Sequence, residues 1–104
     1  KTFDLPRVYT TDLDLFDDPE VDAVCLCTPS GLHVGGAIAA LSAGKHVLIE
    51  KPLDVSLQAC DRLLAATEKS NKVVAVISQH RFDSATEIVK GAIDSGKLGR
   101  IVLA

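Results

Sequence analysis

A lysine set between a carboxylate and a proline, at the point where an apolar run stops, has the clearest chemical potential in this chain. In His46-Val47-Leu48-Ile49-Glu50-Lys51-Pro52 the unbroken apolar run suits a strand buried on both faces, whereas it would overrun the single stripe of a surface helix. Glu50 and Lys51 then stand at the carboxyl end of that strand. In open parallel α/β sheets ligands bind in the crevice beyond the strand ends, so charged residues there can meet a ligand while their strand stays dry. A lysine in such a mouth is expected to be partly desolvated, which loosens its hold on a proton and suits it to exchange one with a substrate hydroxyl. The plainer alternative is an ion pair between Glu50 and Lys51 at a rim. Pro52 favours a fixed geometry, because it constrains its own φ and the residue before it.

Two further apolar runs, Ala23-Val24-Cys25-Leu26-Cys27 and Val73-Val74-Ala75-Val76-Ile77, also end in polar residues. After the first comes Thr28-Pro29-Ser30-Gly31-Leu32-His33, joining a strand to a helix whose first amides are unpaired, as a site for an anionic or ribose-bearing ligand would. The same letters also describe a tight turn with a helix cap, and residue types leave both open. His33 can bond a ligand or cap a loop. After the other run come Gln79, His80 and Arg81, which resemble a polar lining. His80 equally suits a half-buried ring satisfied by a backbone carbonyl, and Arg81 suits substrate binding or an interdomain salt bridge.

The elements that must position these residues follow from period and capping. Thr11 reads as the N-cap of a short acidic helix over 12–17, with Leu13 and Phe16 facing inward. Val34, Ala37, Ile38 and Leu41 are helically spaced, and Gly44 suits the C′ position. A helix from Ser56 is expected to place Leu57, Cys60, Leu63, Leu64 and Thr67 on one face, and Asn71 to close it. Ser84 and Glu87 form an S-x-x-E capping box for a helix carrying Ile88, Val89, Ala92 and Ile93 inward and stopping at Gly96. Weak strands are expected around residues 7–9 and from Arg100. Strand-helix units with short connections imply right-handed crossovers and a parallel sheet, in which the ends at Thr28, Glu50 and Gln79 converge.

Composition narrows the classes. The 104 residues are 47% hydrophobic and 24% charged with a net charge of −3, as in a folded globular domain and unlike a disordered or fibrous chain. With no basic run, no nucleic-acid partner is expected. The apolar stretches are too short to span a bilayer and no secretory pattern opens the chain, so no membrane partner and a cytoplasmic location are expected. Cys25, Cys27 and Cys60 lack metal-ligand spacing and read as small buried hydrophobes, and no metal site is expected.

Three motifs in this order and spacing, C-T-P-S-G-L-H at 27–33, A-G-K-H-V-L-I-E-K-P at 43–52 and Q-H-R-F at 79–82, resemble the glucose-fructose oxidoreductase / inositol dehydrogenase / MocA (Gfo/Idh/MocA) family of NAD(P)-dependent oxidoreductases. The resemblance runs from about residue 7 to the end. It implies hydride transfer between a nicotinamide, NAD or NADP, and a sugar, polyol or nucleotide-sugar alcohol, with Lys51 in the catalytic lysine position and bonding the reacting oxygen. It also implies that Thr28, Pro29, Ser30 and His33 lie beside the dinucleotide, that Glu50, Lys51 and Gln79 bind the cofactor near the nicotinamide ribose and ring, and that Lys51 and Arg81 contact substrate.

Two parts of the family pattern are missing from these residues: the G-x-G-x-x-G turn with its first strands, and the large second domain. Gly35-Gly36 falls inside a helix and cannot be that turn. The implied fold is therefore α/β, an incomplete Rossmann-type parallel sheet over 1–82 with the linking helix and first strand of a second α+β domain over 83–104. In the strand order 3-2-1-4-5-6, the weak strand at 7–9 would lack its neighbours, and it is expected to be poorly paired, displaced or swapped. The alternative function is a non-catalytic α/β fragment or binding module. Unfinished sheet edges point to a homo-oligomer.

Overall fold

The structure, a computed structural model, describes residues 4–103. Thr11 caps helix α1 (Asp12–Asp17) by accepting the Asp14 amide at 3.1 Å, and Asp12 and Asp14 in its first turn face the positive end of the dipole. Strand β1 (Ala23–Leu26) leads through a 3₁₀ turn (Ser30–Leu32) into α2 (His33–Ser42). Gly44, at φ 77°, turns the chain into β2 (His46–Ile49) in a conformation that a side chain would disfavour. Ser56 caps α3 (Leu57–Glu68) by accepting the Ala59 amide; β3 (Val74–Val76), a second 3₁₀ turn (Gln79–Phe82) and α4 (Ser84–Asp94) follow.

The three strands form one parallel sheet in the order β1-β2-β3, with Val24 opposite Val47 and Val47 opposite Val74. Both crossovers step the same way across the sheet, and right-handed crossovers travelling in one direction lay their helices on one face. Val24, Leu26, Val47 and Ile49 accordingly point into a core completed by Val34, Ala37, Ala40 and Leu63.

The other face carries Cys25, Leu48 and Ala75 in register, all exposed. Burial of the strands on both faces is therefore not what is found. Cys25 and Cys27 are exposed and Cys60 half-buried, so the cysteines are not core hydrophobes. A continuous apolar run shows that a strand can be buried twice; only a helix on each side makes it so.

Other differences are rotations and short elements. On α3 the buried residues are Ala59 and Leu63, while Leu57 and Leu64 are exposed, because the helix rolls to meet the small residues of α2. The helix closes at Lys69, not Asn71, and on α1 Leu13 is exposed while Phe16 is buried. On α4 Asp83, not Ser84, occupies the N-cap, and Ile88, Val89 and Ile93 are exposed. Residues 100–103 form no strand.

The segment at 7–9 also forms no strand, in line with the poor pairing expected of it. Side chains tether it instead: the Tyr9 hydroxyl and Arg7 guanidinium both donate to the Asp18 carboxylate, and Arg7 also pairs with Glu20. Buried Lys45 reaches the same corner, its Nζ donating to the Asp18 carbonyl at 2.7 Å. The Tyr9 hydroxyl, the Glu20 amide and Arg7 hold the Asp18 carboxyl down to about 2. A depressed carboxyl stabilises the fold above its ordinary range and loses that contribution as pH falls through its folded value. The tether is thus intact at pH about 4 and released at about 2. Tyr9 is the sole tyrosine and tryptophan is absent, so intrinsic fluorescence should show one acid step near pH 2. Asp18→Asn should abolish that step; its persistence would place the transition elsewhere.

Candidate functional site

The carboxyl ends of the three strands lie side by side because the ladders continue past them. The Glu50 amide donates to the Leu26 carbonyl at 2.9 Å and the Ile77 amide to the Ile49 carbonyl at 2.8 Å. Glu50 is half-buried, and its carboxylate accepts the Lys51 amide. The Lys51–Pro52 peptide is cis. Among the described residues no ion pair holds the Lys51 ammonium, so the rim pair with Glu50 is not formed. Lys51 is exposed, and the partial desolvation expected of it is not met by the residues of this chain.

Lys51, Ile77, Ser78, Gln79 and His80 line one cavity of about 280 Å³. Two of the three strand ends therefore share a concavity. The third joins them through His33, which is 1% exposed: its Nδ1 lies 2.8 Å from the Pro52 carbonyl and its Nε2 2.7 Å from the Thr28 carbonyl. With both nitrogens engaged, His33 ties the loops together and has no nitrogen left to offer a ligand. Thr28 and Pro29 are exposed and Ser30 is half-buried on the adjoining loop.

The remaining candidates separate. The His80 ring is exposed and bonded through Nδ1 to Asp83 at 2.7 Å, so it is not a half-buried ring facing a carbonyl. Arg81 lines a different cleft with Thr86 and Lys90, apart from Lys51. Sequence reasoning passed over Asp54. Its carboxylate accepts the Val34 amide at 3.4 Å in the first turn of α2 and the Val55 and Ser56 amides on its own loop. That takes one of the amides left open for an anion. The signal was present in Asp54-Val55-Ser56, an Asx-turn pattern that bonds the amide two residues on.

A dinucleotide fits this chain in part. The cavity beside Lys51 and Gln79 offers polar groups, but a pyrophosphate needs a glycine-rich turn against a helix start, and Gly35 and Gly36 both lie within α2. Among the described residues no cluster of three or more His, Cys, Asp or Glu side chains could hold a metal ion, and no helix is long and apolar enough to cross a membrane.

Fold and site together define part of a nucleotide-binding α/β domain. Residues 1–78 match the sequence profile described as "Oxidoreductase family, NAD-binding Rossmann fold", and the chain belongs to this Gfo/Idh/MocA family. It is similar to the uncharacterized oxidoreductase YhhX of Escherichia coli, 42% identical over 90% of this chain and 28% of the relative. It is also similar to a myo-inositol 2-dehydrogenase of Thermotoga maritima, 34% identical over 90% of this chain and 28% of that protein. Among solved structures, the WlbA dehydrogenase of Bordetella pertussis, in complex with NADH and UDP-GlcNAcA, superposes with a TM-score of 0.86 at 35% identity, over 91% of this chain and 28% of that one. The chain thus spans under a third of the length of these relatives.

Proposed function

We propose that residues 1–82 are the later part of the dinucleotide-binding domain of an NAD(P)-dependent oxidoreductase, and that residues 83–104 lead into a second domain. The exposed apolar side chains of α4, Ile88, Val89 and Ile93, support that reading, since such a face is normally covered. The reaction is hydride transfer between the nicotinamide and a carbohydrate-type alcohol; the bound nicotinamide supplies the hydride acceptor or donor. Lys51, without an ion pair among the described residues and carried on a flexible stem, bonds the reacting oxygen and moves its proton. Glu50 and Gln79 present polar groups to the nicotinamide ribose and ring, and Thr28, Pro29 and Ser30 flank the dinucleotide. His33 serves by holding those loops, and Arg81 serves substrate only if the second domain brings substrate to its cleft.

The observation that carries this proposal is the shared cavity of Lys51 and Gln79, with the Thr28 loop latched to Pro52 beside it. The inositol dehydrogenase relative and the WlbA complex support a polyol or nucleotide-sugar substrate. Either NAD or NADP is compatible, because these residues present no acidic or basic selector to be read. Self-association through the free sheet edges is part of the same proposal.

NADH fluorescence titration tests it. A longer polypeptide containing this segment should bind in the micromolar range and turn over a polyol, and the 104-residue chain alone should bind far more weakly. Absence of binding at millimolar NADH and NADPH by the longer polypeptide would favour the non-catalytic module instead.

A further inference from the structure

His33 opens α2 and places both ring nitrogens against main-chain carbonyls, 2.8 Å from Pro52 and 2.7 Å from Thr28, at 1% exposure. Carbonyls only accept, and a neutral imidazole carries one N–H and one bare lone pair. In the neutral ring one of these contacts sets lone pair against lone pair away from solvent, where polar groups are nearly always satisfied. The imidazolium has a donor on each side and satisfies both.

We infer that His33 is a positioning residue in its doubly protonated form, a cationic clasp that fixes the separation between the Thr28 loop and the Lys51–Pro52 turn. The ring takes up one proton from solvent and gains one hydrogen bond, and both bonds become charge-assisted. The positive end of α2 opposes a cation here. Asp54 offsets it: its carboxylate meets the amide of Val34, the residue after His33, at 3.4 Å. The other titratable groups on the elements that meet at this point are Cys27, Glu50 and Lys51, and none of them hydrogen-bonds the ring. The clasp rests on geometry alone; its meaning for catalysis rests on the proposed role of Lys51.

The test is nuclear magnetic resonance of the 104-residue chain with isotope-labelled histidine, whose three rings are those of His33, His46 and His80. Near neutral pH the His33 ring should show two proton-bearing nitrogens. Raising the pH should remove one of those protons in a single step, and the Lys51 and Leu53 amide signals should move in that same step. A histidine that merely fills space would not carry those amides with it. His33→Gln keeps one donor and His33→Phe none, so exchange of the Leu53 amide should quicken in that order. The Phe variant should reach roughly tenfold or more, the scale of losing a buried hydrogen bond. A bare ring nitrogen near neutral pH, or Lys51 and Leu53 amides indifferent to the ring, overturns the clasp. If the Phe variant does not fold, the wild-type titration decides alone. No cofactor enters these measurements, so their failure would leave the Lys51 proposal standing, and failure of that proposal would leave the clasp.

Discussion

Lys51→Met, made in a polypeptide long enough to turn over substrate, should lower kcat by about 10²–10⁴-fold, the range spanned by removal of a positioned proton-transfer group. Methionine keeps most of the stem's length and apolar volume and loses the three N–H donors, so the change isolates the ammonium. Because Lys51 makes no ion pair among the described residues, no partner charge is stranded by its removal. Folding and NADH affinity should therefore change little while the chemical step slows, the pattern of an interaction made in the transition state. Lys51→Arg should not rescue, since guanidinium holds its proton across the working range. Stopped-flow measurement of hydride transfer at saturating cofactor checks this. An unchanged rate in the methionine variant would remove the lysine from the reaction.

The other large effect is on stability. Ile49 closes the middle strand and is fully buried. Ile49→Ala should cost about 2–5 kcal/mol, from lost transfer energy and an unfilled cavity. A small domain has roughly 5–15 kcal/mol in hand, so the variant should be largely or wholly unfolded in conditions where the parent is not. Leu48, one residue earlier, points to the uncovered face and is 41% exposed. Leu48→Ala should therefore cost under about 0.5 kcal/mol. Urea unfolding followed by circular dichroism compares the two. Equal losses would mean that the second face is covered in solution, by a second copy of the chain or by further polypeptide.

How much was legible varies with how local the cause is. The Thr11 cap and the φ > 0 turn at Gly44 depend on a few neighbouring residues, and each is found where the sequence places it. Parallel direction also followed from the short strand-helix connections, while the strand order followed from the family resemblance. Longer-range causes were misread. Leu57 and Leu64 are apolar and helically spaced but face outward, since the roll of α3 is set by the shape of α2 rather than by its own stripe. Cys25 sits in an apolar run but is exposed, since one strand's sequence does not say which of its faces a helix will cover.

Motif and function divided along the same line. Without coordinates, the apolar runs and helical spacings pointed to a parallel α/β chain, and the likeness carried by T-P-S-G-L-H, E-K-P and Q-H-R-F pointed to the NAD-binding oxidoreductase family that the profile match shows. Only the tertiary structure decided what each polar group does there. Lys51 and Gln79 share a cavity, Glu50 turns to a backbone amide, Arg81 stands in another cleft, and His33 is spent on two carbonyls. Hydrogen bonding is directional and short-ranged, so a side chain's partners depend on ångström-scale placement of loops distant in sequence, which residue spacing does not encode.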